Sequence, residues 1–264
     1  MTSTAAPAET TRLGRKLLRQ MPLLALLLAI AAVVLLALGP LGWRAGWWQF
    51  RVAFTMLMPW AAYCGLAAVA VAVLALVIGR RVNATRHIAI AVLAFIIGGG
   101  IAYVPWHFNQ MRGTFPSIHD ITTDWDNPPE FRAVLPLRQA DKAANTTQYE
   151  GAKVSDQQRR AYPDIAPLML DLAPAEALAR ALDTARQMGW TIVATDPAEG
   201  RIEASDRTRW FGFTDDVVIR VAVTERGSRV DIRSLSRVGG GDFRVNATRV
   251  RAFLAALHDA SQSR

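Results

Sequence analysis

Three long stretches of the chain carry no charged residue, and a different rhythm begins after them. Residues 21 to 41 (MPLLALLLAIAAVVLLALGPL), about 53 to 78 (AFTMLMPWAAYCGLAAVAVAVLALVI) and 88 to 104 (IAIAVLAFIIGGGIAYV) are apolar on every side. Each has the length that a helix needs to cross roughly 30 Å of hydrocarbon. A cleaved signal peptide is the rival for the first, because Arg12, Arg15, Lys16 and Arg19 precede it. Its apolar run is longer than a signal core and lacks a small-residue cleavage site, so the pattern predicts a retained helix.

Residues 105 to 167 have no period. Asn127-Pro128-Pro129 and a later run rich in Ala, Asn, Thr and Gln bury little, so an extended strap with one short helix near Ser155 to Ala161 is expected. From Leu168 to the end of the chain, residues 168 to 264, periodicity returns. Pro174 opens a helix at a position where its missing N–H costs nothing, Leu178, Leu182 and Ala185 share one face, and Gly189 ends it. Four short runs follow: WTIVAT, RIEASD, DDVVIRVAVTE and SRVDIRSLSRV. In the last two, Ile219, Val221, Val223, Val230 and Ile232 alternate with Arg220, Arg229, Asp231 and Arg233. Turn residues at Asp196-Pro197, Gly200 and Arg226-Gly227 make the natural pairing an antiparallel meander. After Gly239-Gly240-Gly241, Asp242 is placed to cap a final helix with Phe243, Val250, Phe253, Leu254 and Leu257 on its buried stripe. The predicted class is α+β: three transmembrane helices, an N-terminal extended strap, then helix, four-stranded antiparallel meander and helix. One sheet face would be covered by helices and the other polar and Arg-rich.

Charge refines this picture. The formal charge of +8 belongs to the front of the chain, since residues 1 to 112 hold ten Lys or Arg and one acid, while residues 113 to 264 hold twenty and twenty-one. Nucleic acid is therefore not expected as a partner. The tail (residues 1 to 20) and the second loop together hold Arg12, Arg15, Lys16, Arg19, Arg80, Arg81 and Arg86, against Arg44, Arg51 and Arg112 on the other side. Loops rich in Lys and Arg stay cytoplasmic, so the N-terminus is expected inside a bacterial inner membrane and everything after residue 104 in the periplasm. The only cysteine, Cys64, lies in the second apolar stretch, which excludes an intrachain disulfide or a thiol nucleophile in the outer region.

The segments HDITTDWDNPPEF, ARQMGW, TIVATDPAEGRIEAS, WFGFTDDVVIRV and VDIRSLSRVGGGDFRVNATRVRAFL, in this order, resemble the domain-of-unknown-function family DUF1499 over roughly residues 113 to 258. The family usually reads Ser-Asp-x-Gly-x-Asn at the last segment. Here Gly241 stands for the serine and Arg244 for the glycine, while Asp242 and Asn246 remain. The resemblance implies an anchored envelope domain and supplies no activity.

Two groups of residues could carry chemistry. His119 with Asp120, Asp124 or Asp126 has the ligand types of a metal site, or the carboxylates of an acid/base pair, to which the adjacent Asp215 and Asp216 add a second candidate. Neighbours in an extended strap point to opposite sides, and Asp, Thr and Asn before two prolines also serve turns, so a structural strap is the favoured reading. Arg220, Arg229, Arg233 and Arg237 form the other group, suited to an anionic lipid headgroup or an acidic protein. Residues 113 to 206 hold nine bases and fifteen acids and residues 207 to 264 eleven and six, which is what an acidic strap lying on a basic sheet would give. No cofactor is expected. Besides the lipid bilayer, the expected partner is an envelope protein or anionic lipid. The sequence favours a membrane-anchored interaction or binding module, with an envelope enzyme using the Asp residues as the alternative.

Overall fold

The computed structural model describes residues 7–79, 85–111, 113–241 and 243–262. The chain divides into two units, Met1–Met111 and Arg112–Arg264. The first contains three helices long and apolar enough to cross a membrane, Arg19–Arg44, Phe50–Ile78 and Thr85–Met111. Helix α1 runs Pro7–Arg44. The second span begins as α2 (Phe50–Val52), passes through one π-helical turn at Ala53–Leu57 and continues as α3 (Met58–Gly79). Helix α4 (Thr85–Met111) extends past the expected end at residue 104 and carries Pro105 within it. The three apolar helices meet through small residues. Ala25, Ala29, Ala68, Ala72 and Ala94 form one buried cluster, and Gly98 lies so close to Gly65 that a Cβ on it would stand 2.7 Å from the Gly65 carbonyl oxygen. Of the glycine triplet, Gly98 is thus the packing residue, while Gly100 faces open space. The Arg80 and Arg81 charges and the Asp242 cap lie outside the described residues.

The second unit is an α+β layer built on a six-stranded sheet rather than four strands. β3 (Thr191–Asp196), β4 (Arg201–Arg207), β5 (Thr214–Thr224) and β6 (Gly227–Ser236) pair in sequence order, all antiparallel. The segment expected to be only extended adds β1 (Asp120–Thr122) and β2 (Leu168–Leu170), which share the free side of β6: β1 pairs Arg233 to Leu235 and β2 pairs Ser228 to Val230. It also folds into α5 (Leu135–Ala140) and α6 (Ala152–Ala161). Three-residue strands are too short to show an alternation, which is why no periodicity marked them. Gly227 makes the β5–β6 turn at φ 136, with β2 so near that a Cβ would stand 2.2 Å from the Leu170 carbonyl oxygen.

Alternation along β4 to β6 sorts side chains onto two faces. On one, Ile202, Val217, Ile219, Val221, Val230 and Ile232 pack against α7 (Pro174–Gln187) and α8 (Val245–Gln262), whose Ala177, Leu178, Ala181, Val250, Phe253 and Leu257 are buried. Trp190 stacks on Phe253 at 5.4 Å. Phe243 falls before α8 and is not part of its stripe. The other face carries Glu203, Asp216, Val218, Arg220, Asp231, Arg233 and Leu235, and the segment between β1 and α5 lies over it, with Phe131 and Val134 packed on Val218 and Leu235. This polar face is a second interior.

Candidate functional site

The charged face resolves into separate Arg–carboxylate groups, each linking the covering segment to the sheet. Asp120 at the start of β1 faces Arg233 of β6 in a two-pronged pair: Nε donates to Oδ1 at 2.9 Å and Nη2 to Oδ2 at 2.7 Å. The same guanidinium donates to the carbonyls of Pro129 (3.2 Å) and Thr147 (2.8 Å) and lies between the rings of Phe131 and Tyr149, at 5.1 and 5.3 Å. Arg233 is 2% exposed, so its charge is fully dependent on these partners. Burial, aided by the nearby Asp120, pushes the Tyr149 hydroxyl up to about 12.

Asp124 takes a different pair. Its Oδ2 accepts from Nη2 of Arg220 and of Arg229, both at 2.9 Å, and the same two nitrogens donate to Asp231 at 3.0 and 3.1 Å. Asp216 accepts from Arg138 of α5 (2.5 Å), from Nε and Nη2 of Arg237 (3.0 and 2.7 Å) and from the Ser205 hydroxyl (2.7 Å). Burial lowers the pKa of Arg138 despite Asp216. Burial also opposes Arg237, but Asp216 and Asp141 together outweigh it and raise its pKa. Glu203 uses its carboxylate differently: it accepts the backbone N–H groups of Arg132, Ala133 and Val134 at 2.9–3.0 Å, where the chain turns into α5. Arg201 Nη1 lies 3.2 Å from Glu203 but at an angle that makes no hydrogen bond.

Asp215 and Asp216 are adjacent in β5 and therefore point through opposite faces. They are buried strand residues. Asp215 meets Arg249 of α8 at 2.7 Å, and Arg249 also donates to Asp206, Ser234 and Asn246. Asn246 is the hub of this helix-side group, accepting from Ser234 and donating to Ser236 and to the His119 carbonyl.

Of the residues singled out in the sequence, Asp120, Asp124, Arg220, Arg229, Arg233 and Arg237 thus meet on one face, Asp216 joins them, and Asp215 does not. Asp126 projects into solvent, with a side chain 96% exposed and 4.0 Å from Arg159. The His119 backbone is fixed by Ser236 and Asn246 and its Nδ1 is buried without a hydrogen bond. Among the described residues no three His, Cys, Asp or Glu side chains come together as metal ligands. Asp120 and Asp124 lie on one face, but Asp120 pairs with Arg233 and Asp124 with Arg220 and Arg229, so they share no centre. The sequence reading missed Glu203, Asp231, Arg138 and Arg249. The alternation of β6 already put Asp231 on the face of Arg229 and Arg233, two residues from each, but did not mark it as their partner. Arg138 and Arg249 sit on helices far away in sequence and gave no such signal.

An opening lies over this face. A cavity of about 260 Å³ is bordered by Asn127, Pro128, Pro129, Glu130, Arg132, Glu199, Arg201 and Arg220, with Val218 beneath. Arg132 donates to Glu199 at 2.6 and 2.9 Å across it, while Glu130, 79% exposed, stands at its rim.

A family model described as "Protein of unknown function (DUF1499)" matches residues 120–257, from the first residue of β1 to Leu257 near the end of α8. No curated protein matches the chain.

Proposed function

The chain belongs to the DUF1499 family, and from the part of the fold that this family covers we propose that it is a membrane-anchored binding module. In this reading the three apolar helices hold it in a bacterial inner membrane with the N-terminus cytoplasmic, as the excess of Arg and Lys in the tail and second loop favours, and the α+β unit is displayed in the periplasm. Its partner is an envelope protein, not nucleic acid, since residues 113 to 264 carry no excess of positive charge.

The observation that carries this reading is the state of the carboxylates. Asp120, Asp124, Asp215 and Asp216 each accept hydrogen bonds from one or two guanidinium groups within 3.0 Å, so each is already committed to an ion pair that ties parts of the fold together. A face locked in this way makes a rigid platform, and the cleft beside Pro128 and Pro129 is the part of it open to a partner. The two prolines fix the backbone there, while Glu130 and Arg132 offer charges of both signs to a polar loop.

Photo-cross-linking of the full chain in intact cells tests it. A benzophenone side chain at Glu130 should give a discrete protein adduct, and one at Asp183, exposed on α7, should not. Indistinguishable patterns at the two positions would remove the cleft as a docking site. A reporter fused after Gln262 that is active only in the periplasm checks the orientation.

A further inference from the structure

β4 and β5 are joined by a loop that holds an aromatic side chain out rather than in. In Arg207–Phe213 (RTRWFGF), Thr208 N–H donates to the Phe213 carbonyl, Gly212 N–H to the Thr208 carbonyl, and Phe213 N–H to the Thr208 hydroxyl, all at 2.8–2.9 Å. Phe211 is buried and stacks on Phe213 at 5.1 Å, which braces the loop from within. At the tip Trp210 remains 42% exposed, flanked by exposed Arg207 and Arg209, and the seven residues contain no acid. An ordered loop that presents a tryptophan between two arginines has the chemistry of the lipid headgroup region, where an indole meets both apolar and wet surroundings and guanidinium groups meet phosphates.

Strand directions say which end of the sheet this is. β4 ends and β5 begins here, β6 ends here, and β1 begins here, because Asp120 pairs with Leu235. The chain therefore enters the α+β unit at this end, directly after the apolar helix that finishes at Met111. In sequence only residues 112 to 119 separate that helix from β1. Arg244, exposed and lying over the Phe115 ring at 5.0 Å, adds a third cation. Among the described residues at this end, Asp206 is engaged by Arg249 and Asp141 by Arg237.

We propose that the Arg207–Phe213 loop is a lipid-contact element that seats this end of the α+β unit on an anionic membrane surface, with Trp210 at headgroup depth and Arg207 and Arg209 on lipid phosphates. The inference rests on the reading that the unit is displayed from a bilayer, and it assigns a second surface, distinct from the cleft at Glu130. It also moves the anionic-lipid contact away from Arg220 and Arg233, whose guanidinium groups are spent on Asp124, Asp231 and Asp120.

The test uses the full chain with Cys64→Ser, reconstituted in nanodiscs of phosphatidylcholine alone or mixed with phosphatidylglycerol. A fluorophore is attached at Gly240→Cys, where a new side chain meets open space at the same end. The control is Val223→Cys, 75% exposed at the opposite end. With a nitroxide quencher on the lipid headgroups, emission should be lost at residue 240 and kept at 223, more so with phosphatidylglycerol. Arg207→Gln, Arg209→Gln and Trp210→Ala together should restore it. Equal quenching at 240 and 223 overturns the proposal, as does quenching that ignores phosphatidylglycerol or survives the triple variant. None of these results touches the Glu130 cross-link, so failure here and failure of the docking reading are separable.

Discussion

Arg233 and Asp120 are joined through two parallel hydrogen bonds, at 2.9 and 2.7 Å, between strands that pair edge to edge. The pair fastens the start of the covering segment to the last long strand, and the same guanidinium holds that segment again at Pro129 and Thr147. One side chain on the sheet thus fixes three points of a chain that makes few regular contacts of its own.

Glu203 does the same for the entry to α5 by accepting three backbone N–H groups. Glu203→Gln removes the charge and turns an NH₂ toward donors, which should cost about 1.5–3 kcal/mol of local stability. Native-state hydrogen exchange on the full chain in detergent would show it: the amides of residues 132 to 134 should exchange at least about tenfold faster, with β3 amides unchanged.

In the first unit, Gly98→Val places a Cβ 2.7 Å from the Gly65 carbonyl oxygen and 2.9 Å from the Ala68 Cβ, whereas Gly100→Val meets nothing within 4 Å. Overpacking of this kind costs about 1–3 kcal/mol. Thermal unfolding in detergent should fall for the first variant and stay near the parent for the second.

Arg244 has φ 73 and Phe243 φ 49, the left-handed region that glycine enters without strain. The glycine that the family resemblance puts at 244 therefore has a backbone reason. Arg244→Gly and Arg244→Ala both lose the Phe115 contact, so their difference isolates the backbone, and the Gly variant should be the more stable by about 1 kcal/mol. Hydrogen exchange at the first turn of α8 reads this difference.

Tyr149 sets an alkaline limit. Its folded-state pKa, raised by burial to about 12, exceeds the ordinary value of 10.0, so the folded state holds its proton where the unfolded state releases it. The contribution is complete below pH 10 and lost as pH rises from 10 toward 12. Tyr149→Phe should flatten that part of the stability curve and leave the neutral part in place.

The helices and the four longer strands were legible because each repeats its period several times: Leu178, Leu182 and Ala185 on α7, or Val230 and Ile232 against Arg229 and Arg233 on β6. β1 and β2 span three residues each, and α5 spans six, too few to establish a period. The charge imbalance between residues 113–206 and 207–264 pointed to an acidic strap on a basic sheet, and that is where Asp120 and Asp124 lie. What the imbalance could not specify was which acid meets which arginine. Partners such as Asp216 and Arg138, 78 positions apart, are set by the tertiary path of the chain. The adjacency of Asp215 and Asp216 suggested a joint role, yet a strand sends neighbours to opposite faces.

The Asp120–Arg233 pair holds the covering segment onto the sheet. A double-mutant cycle of Asp120→Asn and Arg233→Leu, read by hydrogen exchange of β6 amides in the full chain, tests it most directly. Each single change should cost about 3–5 kcal/mol by leaving a buried charge alone, and the double variant should cost no more than either. Single variants within about 0.5 kcal/mol of the parent, the range of an ordinary surface change, would contradict it and return Asp120 to the candidates for catalysis.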